Sequence, residues 1–187
     1  MIDFRPSIFV AMGANLGANA GKTLDAVVGF MPEMGISPLI VSPFYRTPAI
    51  GPSPQPDFVN AVIRCETAHS VLPLMETLHR IETIFGRVRR ERWGPRVLDL
   101  DLIDYQGIVI PPQGPQGLQA GLGPIPLTLP HPGVSERAFV LLPLADIAPK
   151  WRHPVSGESV SNLIARLPAS ALAGISRLDG VPIASRR

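Results

Sequence analysis

The chain has 187 residues, 45% of them hydrophobic, and a formal charge of +2, so it is long enough to bury a core yet gives whole-molecule nucleic-acid or membrane binding little support. No apolar run approaches the roughly 20 residues that span a bilayer, and the start, MIDFRPSIFV, lacks the pattern of a secretory signal. The lone Cys65 excludes an internal disulfide and a cysteine metal cluster, which points to one cytoplasmic domain with Cys65 as a packed thiol.

In chain order, SIFVAM (residues 7–12) reads as a buried strand and residues 22 to about 30 as a helix ended by Pro32. Between them lies GANAGKT, residues 17–23. Glycine, lysine and threonine between a strand and a helix raise the question of a phosphate-binding loop, which needs four residues between its glycines. Only Ala18, Asn19 and Ala20 separate Gly17 from Gly21. The count predicts a strand-to-helix turn with a solvated Lys22.

LIVSPFYR, residues 39–46, is the next strand, and Pro43 puts it at an edge or a bulge. TPAIGPSPQPD has four prolines and a glycine in eleven residues, which predicts a long, semi-stiff loop. In FVNAVIRCE, residues 58–66, Val59, Ala61, Ile63 and Cys65 form an apolar face and Phe58, Asn60, Val62 and Arg64 a mixed one. This is a strand whose second face is free to carry a site. Val71, Leu74, Met75, Leu78, Ile81 and Phe85 follow the helical period over residues 71–85, and Gly86 stops that helix.

GRVRRERWGPR, residues 86–96, then gathers most of a local arginine cluster, and it leads into the strand VLDLDLIDY. Residues 111–126, rich in proline, glycine and glutamine, read as a mobile surface insertion. A short helix from about residue 135 and a less informative C-terminal stretch complete the chain. The order βαββαβ with two helices is ferredoxin-like: an α+β sandwich with an antiparallel sheet and helices on one face.

Along VLDLDLIDY, Leu98, Leu100 and Leu102 point to the core while Asp99 and Asp101 share the other face. Two carboxylates at this spacing have Cα atoms roughly 7 Å apart and can share hard cations. A solvated outer face is the bland alternative. The neighbouring Arg87, Arg89, Arg90, Arg92 and Arg96, set around Trp93, shift the balance, because arginine forks suit phosphate oxygens. A polyanion chelated to magnesium satisfies both groups.

ERWGPRVLDLDLI, with AMGANLG, SPFYRTPAIGPSPQPDFVNAV and LTLPHPGVSERAFVLLPLADIAP, resembles the 6-hydroxymethyl-7,8-dihydropterin pyrophosphokinases of folate biosynthesis, over about residues 8–149. The resemblance implies a magnesium-dependent enzyme that moves the β,γ-pyrophosphoryl unit of ATP onto the dihydropterin's hydroxymethyl group and releases AMP. It implies that Asp99 and Asp101 hold two Mg²⁺ ions, and that Arg87, Arg92 and Arg96 lie in a catalytic loop closing over the phosphates. Glu82, Arg89, Trp93, Leu102, Thr128, His131 and Arg137 would lie at the nucleotide. Phe58 and Phe139 would sandwich the pterin, Asn60 would pair with its polar edge, and the backbone of Thr47, Pro48 and Ile50 would add contacts.

The sequence departs from the family pattern in its arginine loop, which is one residue shorter, and at two positions: Pro132 stands where an aromatic residue often follows the histidine, and Pro126 stands near where the family can carry a phosphate-binding arginine. The resemblance assigns nothing to residues 111–126 or to the tail from about residue 167. It implies ATP and the dihydropterin as the partners, with no nucleic acid, no membrane and a monomeric enzyme. The alternatives are a P-loop NTPase, which would depend on Lys22 and Thr23, and an RNA-binding sheet, against which the aspartate pair argues by repelling a phosphate backbone.

Overall fold

The computed structural model describes residues 7–16, 19–49, 54–87, 95–112 and 127–178. The elements in order are β1 (Ser7–Ala14), α1 (Ala20–Phe30), a 3₁₀ turn (Met31–Met34), β2 (Ile36–Val41), β3 (Tyr45–Thr47), β4 (Phe58–Thr67), α2 (Val71–Ile84) and β5 (Asp99–Tyr105). A second 3₁₀ turn (Val134–Glu136), α3 (Ala138–Ile147), α4 (Val160–Arg166), α5 (Ala169–Leu172) and β6 (Ser176–Arg177) follow. Every strand pairing is antiparallel, in the order β5-β1-β4-β3-β6, with β2 also beside β4.

Alternation of side chains across the three central strands explains both layers. On one face Ile8, Val10 and Met12 of β1, Ala61, Ile63 and Cys65 of β4, and Leu98, Leu100 and Leu102 meet Leu24 and Val27 of α1 and Leu74, Leu78 and Ile81 of α2. Each such fully buried leucine or isoleucine stabilises the fold by roughly 1.5–3 kcal/mol relative to exposure. Burial pushes the Cys65 thiol up to about 12, as for a packed, inert sulfur.

This face carries the two helices expected from the periodicity. The opposite face is covered as well: Ala11, Val62 and Ile103 pack against Val140, Leu141 and Leu144 of α3, Val160 and Leu163 of α4, and Trp151. A base-stacking sheet leaves that face open; here α3 and α4 occupy much of it.

Local chemistry accounts for the element boundaries. Helix α1 begins at Ala20 because Asn19 caps it, its side chain accepting from the Lys22 amide at 3.1 Å. Pro32 does not end the helical path but sits early in the 3₁₀ turn, where its missing N–H has no bond to lose. The strand expected over residues 39–46 is two strands, interrupted around Pro43. Ser42 spans the break, donating its amide to the Val62 carbonyl at 2.9 Å and accepting the Val62 amide on its hydroxyl at 3.0 Å.

The C-terminal stretch has definite structure: α4, α5 and a last strand, β6, that extends the sheet beyond β3. Among the described residues, no helix is long and apolar enough to cross a membrane. Residues 113–126 of the expected insertion lie outside the described residues, as do residues 179–187 of the tail.

Candidate active site

A cavity of about 430 Å³ opens on the α3 face of the sheet, at the end of the central strands where β1 finishes. Its floor follows from register. Gly13 of β1 lies between Asn60 of β4 and Asp99 of β5, and Ala11 lies between Val62 and Asp101. Two small residues on the middle strand leave a trough that larger side chains would fill. A Cβ at Gly13 would stand 2.7 Å from the Asn60 Oδ1, so only glycine admits that asparagine.

Around this floor the cavity is lined by Thr47, Pro48, Phe58, Arg96, Arg137 and Phe139, besides Asn60, Asp99 and Asp101. Nine of the residues singled out from the sequence thus converge on one space. Asn60 is buried and donates through Nδ2 to the Thr47 hydroxyl at 2.7 Å, which fixes its amide edge. Phe58 and Phe139 are each half-buried, leaving ring surface toward the cavity. The Arg137 guanidinium lies 5.8 Å from the centre of the Phe139 ring.

The two aspartates differ in their partners. Asp99 is held by Arg87 at 2.7 Å and by Arg96. Among the described residues, Asp101 meets only more distant cations, Arg137 at 3.5 Å and His131 at 3.8 Å. Burial, and then the charge of Asp99, push the Asp101 carboxyl above its usual range despite those cations.

His131 moves the other way, burial holding its imidazole toward the neutral form against the pull of Asp101. Its Nδ1 accepts the Gly133 amide at 3.1 Å, so in the neutral ring the proton sits on Nε2, the nitrogen nearer Asp101. In that form His131 adds no positive charge, and among the described residues Arg137, at 3.5 Å, is the cation beside Asp101. The oxygen donors of the aspartate pair on one cavity wall suit a hard divalent cation, which would relieve the like-charge repulsion.

Several expected nucleotide residues do not line the cavity. Leu102 is 3% exposed in the core on the α1 and α2 face, because alternation turns it away from Asp101; its side chain has no path to a nucleotide. Glu82 is also buried and works through neighbours, accepting the Leu100 amide at 2.7 Å and pairing with Arg87. Arg87 thereby links Glu82 to Asp99 from behind the cavity. Thr128 is half-buried beside Leu129, which exchanges backbone bonds of 2.8 and 2.9 Å with Ile110. Ile50, Arg89, Arg90, Arg92 and Trp93 lie outside the described residues.

One positioning residue was not singled out individually from the sequence. Asn15 accepts the Arg96 amide at 2.7 Å and donates its own amide to the Arg96 carbonyl at 2.9 Å. Its Nδ2 also donates to the Pro56 carbonyl and to Gln55, each at 3.0 Å. One side chain thus ties the end of β1 to the approach to β5 and to the loop ahead of β4. Its sequence signal was its place in AMGANLG, directly after the small floor residues.

Glu82 gives a stability prediction. Burial, outweighing the Leu100 amide and the Arg87 charge, raises its carboxyl from 4.5 to about 7. An acid held up in this way adds stability that is fully present below about 4.5 and is lost as pH rises through about 7. The melting temperature of wild type minus that of Glu82→Gln is therefore expected to fall between pH 4.5 and 7 and to level off above, as followed by circular dichroism. A difference that grows with pH would contradict this.

Comparison with known proteins adds an independent line. A family model described as 7,8-dihydro-6-hydroxymethylpterin-pyrophosphokinase (HPPK) matches residues 9–149. The 2-amino-4-hydroxy-6-hydroxymethyldihydropteridine pyrophosphokinase of Synechocystis sp. is 42% identical over 161 residues, covering 84% of this chain and 76% of that protein. The Methylorubrum extorquens protein of the same name is 37% identical over 171 residues, covering 91% and 98%.

Among solved structures, Plasmodium falciparum HPPK-DHPS with pteroate superposes with a TM-score of 0.66 at 14% identity. That likeness concerns the fold, and this chain spans 43% of the longer Plasmodium chain. With a matching family model across most of its length and relatives this similar over three quarters or more of theirs, the chain belongs to the 6-hydroxymethyl-7,8-dihydropterin pyrophosphokinase family.

Proposed function

We propose that this protein transfers the β,γ-pyrophosphoryl unit of ATP to 6-hydroxymethyl-7,8-dihydropterin in folate biosynthesis. The hydroxymethyl oxygen attacks the β-phosphorus and its proton is released. The bond from that phosphorus to the α-phosphate's bridging oxygen breaks, AMP leaves, and the pterin carries a diphosphate. The observation that carries this reading is the meeting of a pterin-sized polar and aromatic pocket with an aspartate pair and two arginines in one cavity.

Phe58 and Phe139 offer faces for a flat heteroaromatic ring, and the Asn60 amide offers a donor and an acceptor to its edge. Thr47 fixes that amide, and the backbone of Thr47, Pro48 and Ile50 completes the pterin side. Arg96 and Arg137 face the phosphates, where fixed guanidiniums compensate charge developing on the transferred group. His131 and Thr128 support the nucleotide from the adjoining loop, with Arg89, Arg92 and Trp93 contributing from the segment before Pro95.

Asp99 and Asp101 would hold two Mg²⁺ ions. Bound there, magnesium supplies charge neutralisation and orientation to the triphosphate. Glu82 and Arg87 keep Asp99 in place. The enzyme works as a cytoplasmic monomer on two small molecules.

The test is AMP formation measured with each of ATP, Mg²⁺ and the dihydropterin omitted in turn. The reading requires all three; AMP released equally without pterin would exclude it. Lys22 is exposed and has its backbone, not its side chain, in the cap of α1. Lys22→Ala is accordingly expected to leave the rate within about twofold, whereas a phosphate-binding loop would lose activity with that lysine.

A further inference from the structure

The family match ends at residue 149, yet the cavity has a wall made by residues beyond it: Ala171 of α5 lines the same space as Thr47, Pro48, Phe58 and Phe139. The segment bearing Ala171 is fastened to the pterin side of the cavity at several points. β6 pairs with β3, Ser176 opposite Arg46 and Arg177 opposite Tyr45, so it borders the strand that ends in Thr47. The Leu178 amide donates to the Phe44 carbonyl at 2.8 Å, and the Leu178 side chain packs on the core. Asp146 of α3 joins both strands, accepting from the Tyr45 hydroxyl at 2.7 Å and facing Arg177 at 3.8 Å.

Between α5 and β6 the chain turns at Gly174, whose φ of 73° and close approach to Pro48 exclude a side chain. A Cβ there would stand 2.6 Å from the Pro48 Cγ. The turn is thus fitted directly against the residue that follows Thr47 into the proline-rich loop.

We propose that residues 169–178 form a wall of the dihydropterin pocket, and that the small side chain of Ala171 is a specificity-determining feature that sets how large a pterin the pocket admits. The proposal rests on the pterin placement given above. Its consequence is selective: enlarging residue 171 crowds the pterin and leaves the nucleotide side, around Asp101 and Arg137, untouched. Gly174→Ala acts on the same wall from behind, by pushing the turn off Pro48.

Steady-state kinetics test this. Ala171→Leu is expected to raise the dihydropterin KM at least about tenfold with the ATP KM within about twofold, and Ala171→Gly is expected to stay close to wild type for both. Gly174→Ala is expected to raise the dihydropterin KM as well, with the ATP KM again preserved. An unchanged dihydropterin KM in Ala171→Leu would overturn the proposal, and so would parallel rises in both KM values. Wild type without pterin-dependent AMP release would instead remove the pterin placement itself.

A second readout does not depend on tolerance of a bulky residue. Ala171→Cys supplies a thiol at the cavity, while the native Cys65 is fully buried. Alkylation of that thiol by a small methanethiosulfonate is expected to slow when dihydropterin joins a complex with an α,β-methylene ATP analogue, relative to the analogue alone. Equal rates would place Ala171 away from the pterin and overturn the proposal.

Discussion

Asp101→Ala is expected to lower the rate of pterin-dependent AMP release by at least about a thousandfold, roughly 4 kcal/mol of transition-state stabilisation. Asp99 and Asp101 project from β5 into one cavity, and among the described residues Asp101 is held less tightly by guanidiniums, Arg137 standing 3.5 Å from it. Loss of its carboxylate removes half of the oxygen set that suits magnesium, and with it the ordering of the triphosphate. Alanine is tolerated by the strand, because Asp101 lines the cavity and is not part of either apolar core.

Stability is expected to move in the opposite direction. Burial and the neighbouring Asp99 hold the Asp101 carboxyl above its usual range, so its ionisation works against folding. Such an acid favours the fold below its unfolded value of 3.8, and this contribution is lost as pH rises through the folded value. At neutral pH and without magnesium, Asp101→Ala should therefore melt at or above the wild-type temperature while being inactive. A variant that is both inactive and much less stable would mean that Asp101 serves the fold.

Asn60→Ala is expected to raise the dihydropterin KM by about 10- to 100-fold, the effect of removing buried hydrogen bonds worth about 1–3 kcal/mol. The residue is 6% exposed, its Nδ2 is committed to Thr47, and its Oδ1 lies over Gly13. Such a fixed amide can discriminate among ring edges, because a wrong edge leaves buried polar atoms unpaired. Gly13→Ala supplies the complementary test: its methyl would meet the Asn60 oxygen at 2.7 Å and displace the amide without removing it. Both variants are expected to keep the ATP KM within about threefold. A change in ATP KM of the same size as that in pterin KM would contradict the assignment.

The central sheet was legible because period-2 alternation is strong where each face packs on a different layer. In β4 it separated Ala61, Ile63 and Cys65 from Asn60 and Val62, and in the β5 region it separated Leu98 and Leu100 from Asp99 and Asp101. Alternation then failed where the ladder did. Opposite Phe9 and Val10 the register shifts by one residue: Ile103 still keeps the face of Asp99 and Asp101, in the second core, but beyond it Asp104 turns to bond the Trp151 indole at 2.7 Å and Tyr105 joins the first core.

The Leu102 side chain takes the place in the core that alternation gives it, so a nucleotide role of the kind the resemblance implies does not run through that side chain. The wall carrying Ala171 could not be read at all. A four-residue helix and a two-residue strand leave no period, and their position depends on pairing with β3, about 130 residues earlier. The small floor residues Ala11 and Gly13 were visible as letters, but their meaning required the register with Asn60, Asp99 and Asp101.

The most direct measurement is phosphorus NMR of the products formed from ATP, Mg²⁺ and 6-hydroxymethyl-7,8-dihydropterin. Pyrophosphoryl transfer predicts AMP and a pterin diphosphate ester appearing in equal amounts, with neither formed when the pterin is withheld. ADP with a monophosphate ester, or AMP with free pyrophosphate regardless of pterin, would contradict it.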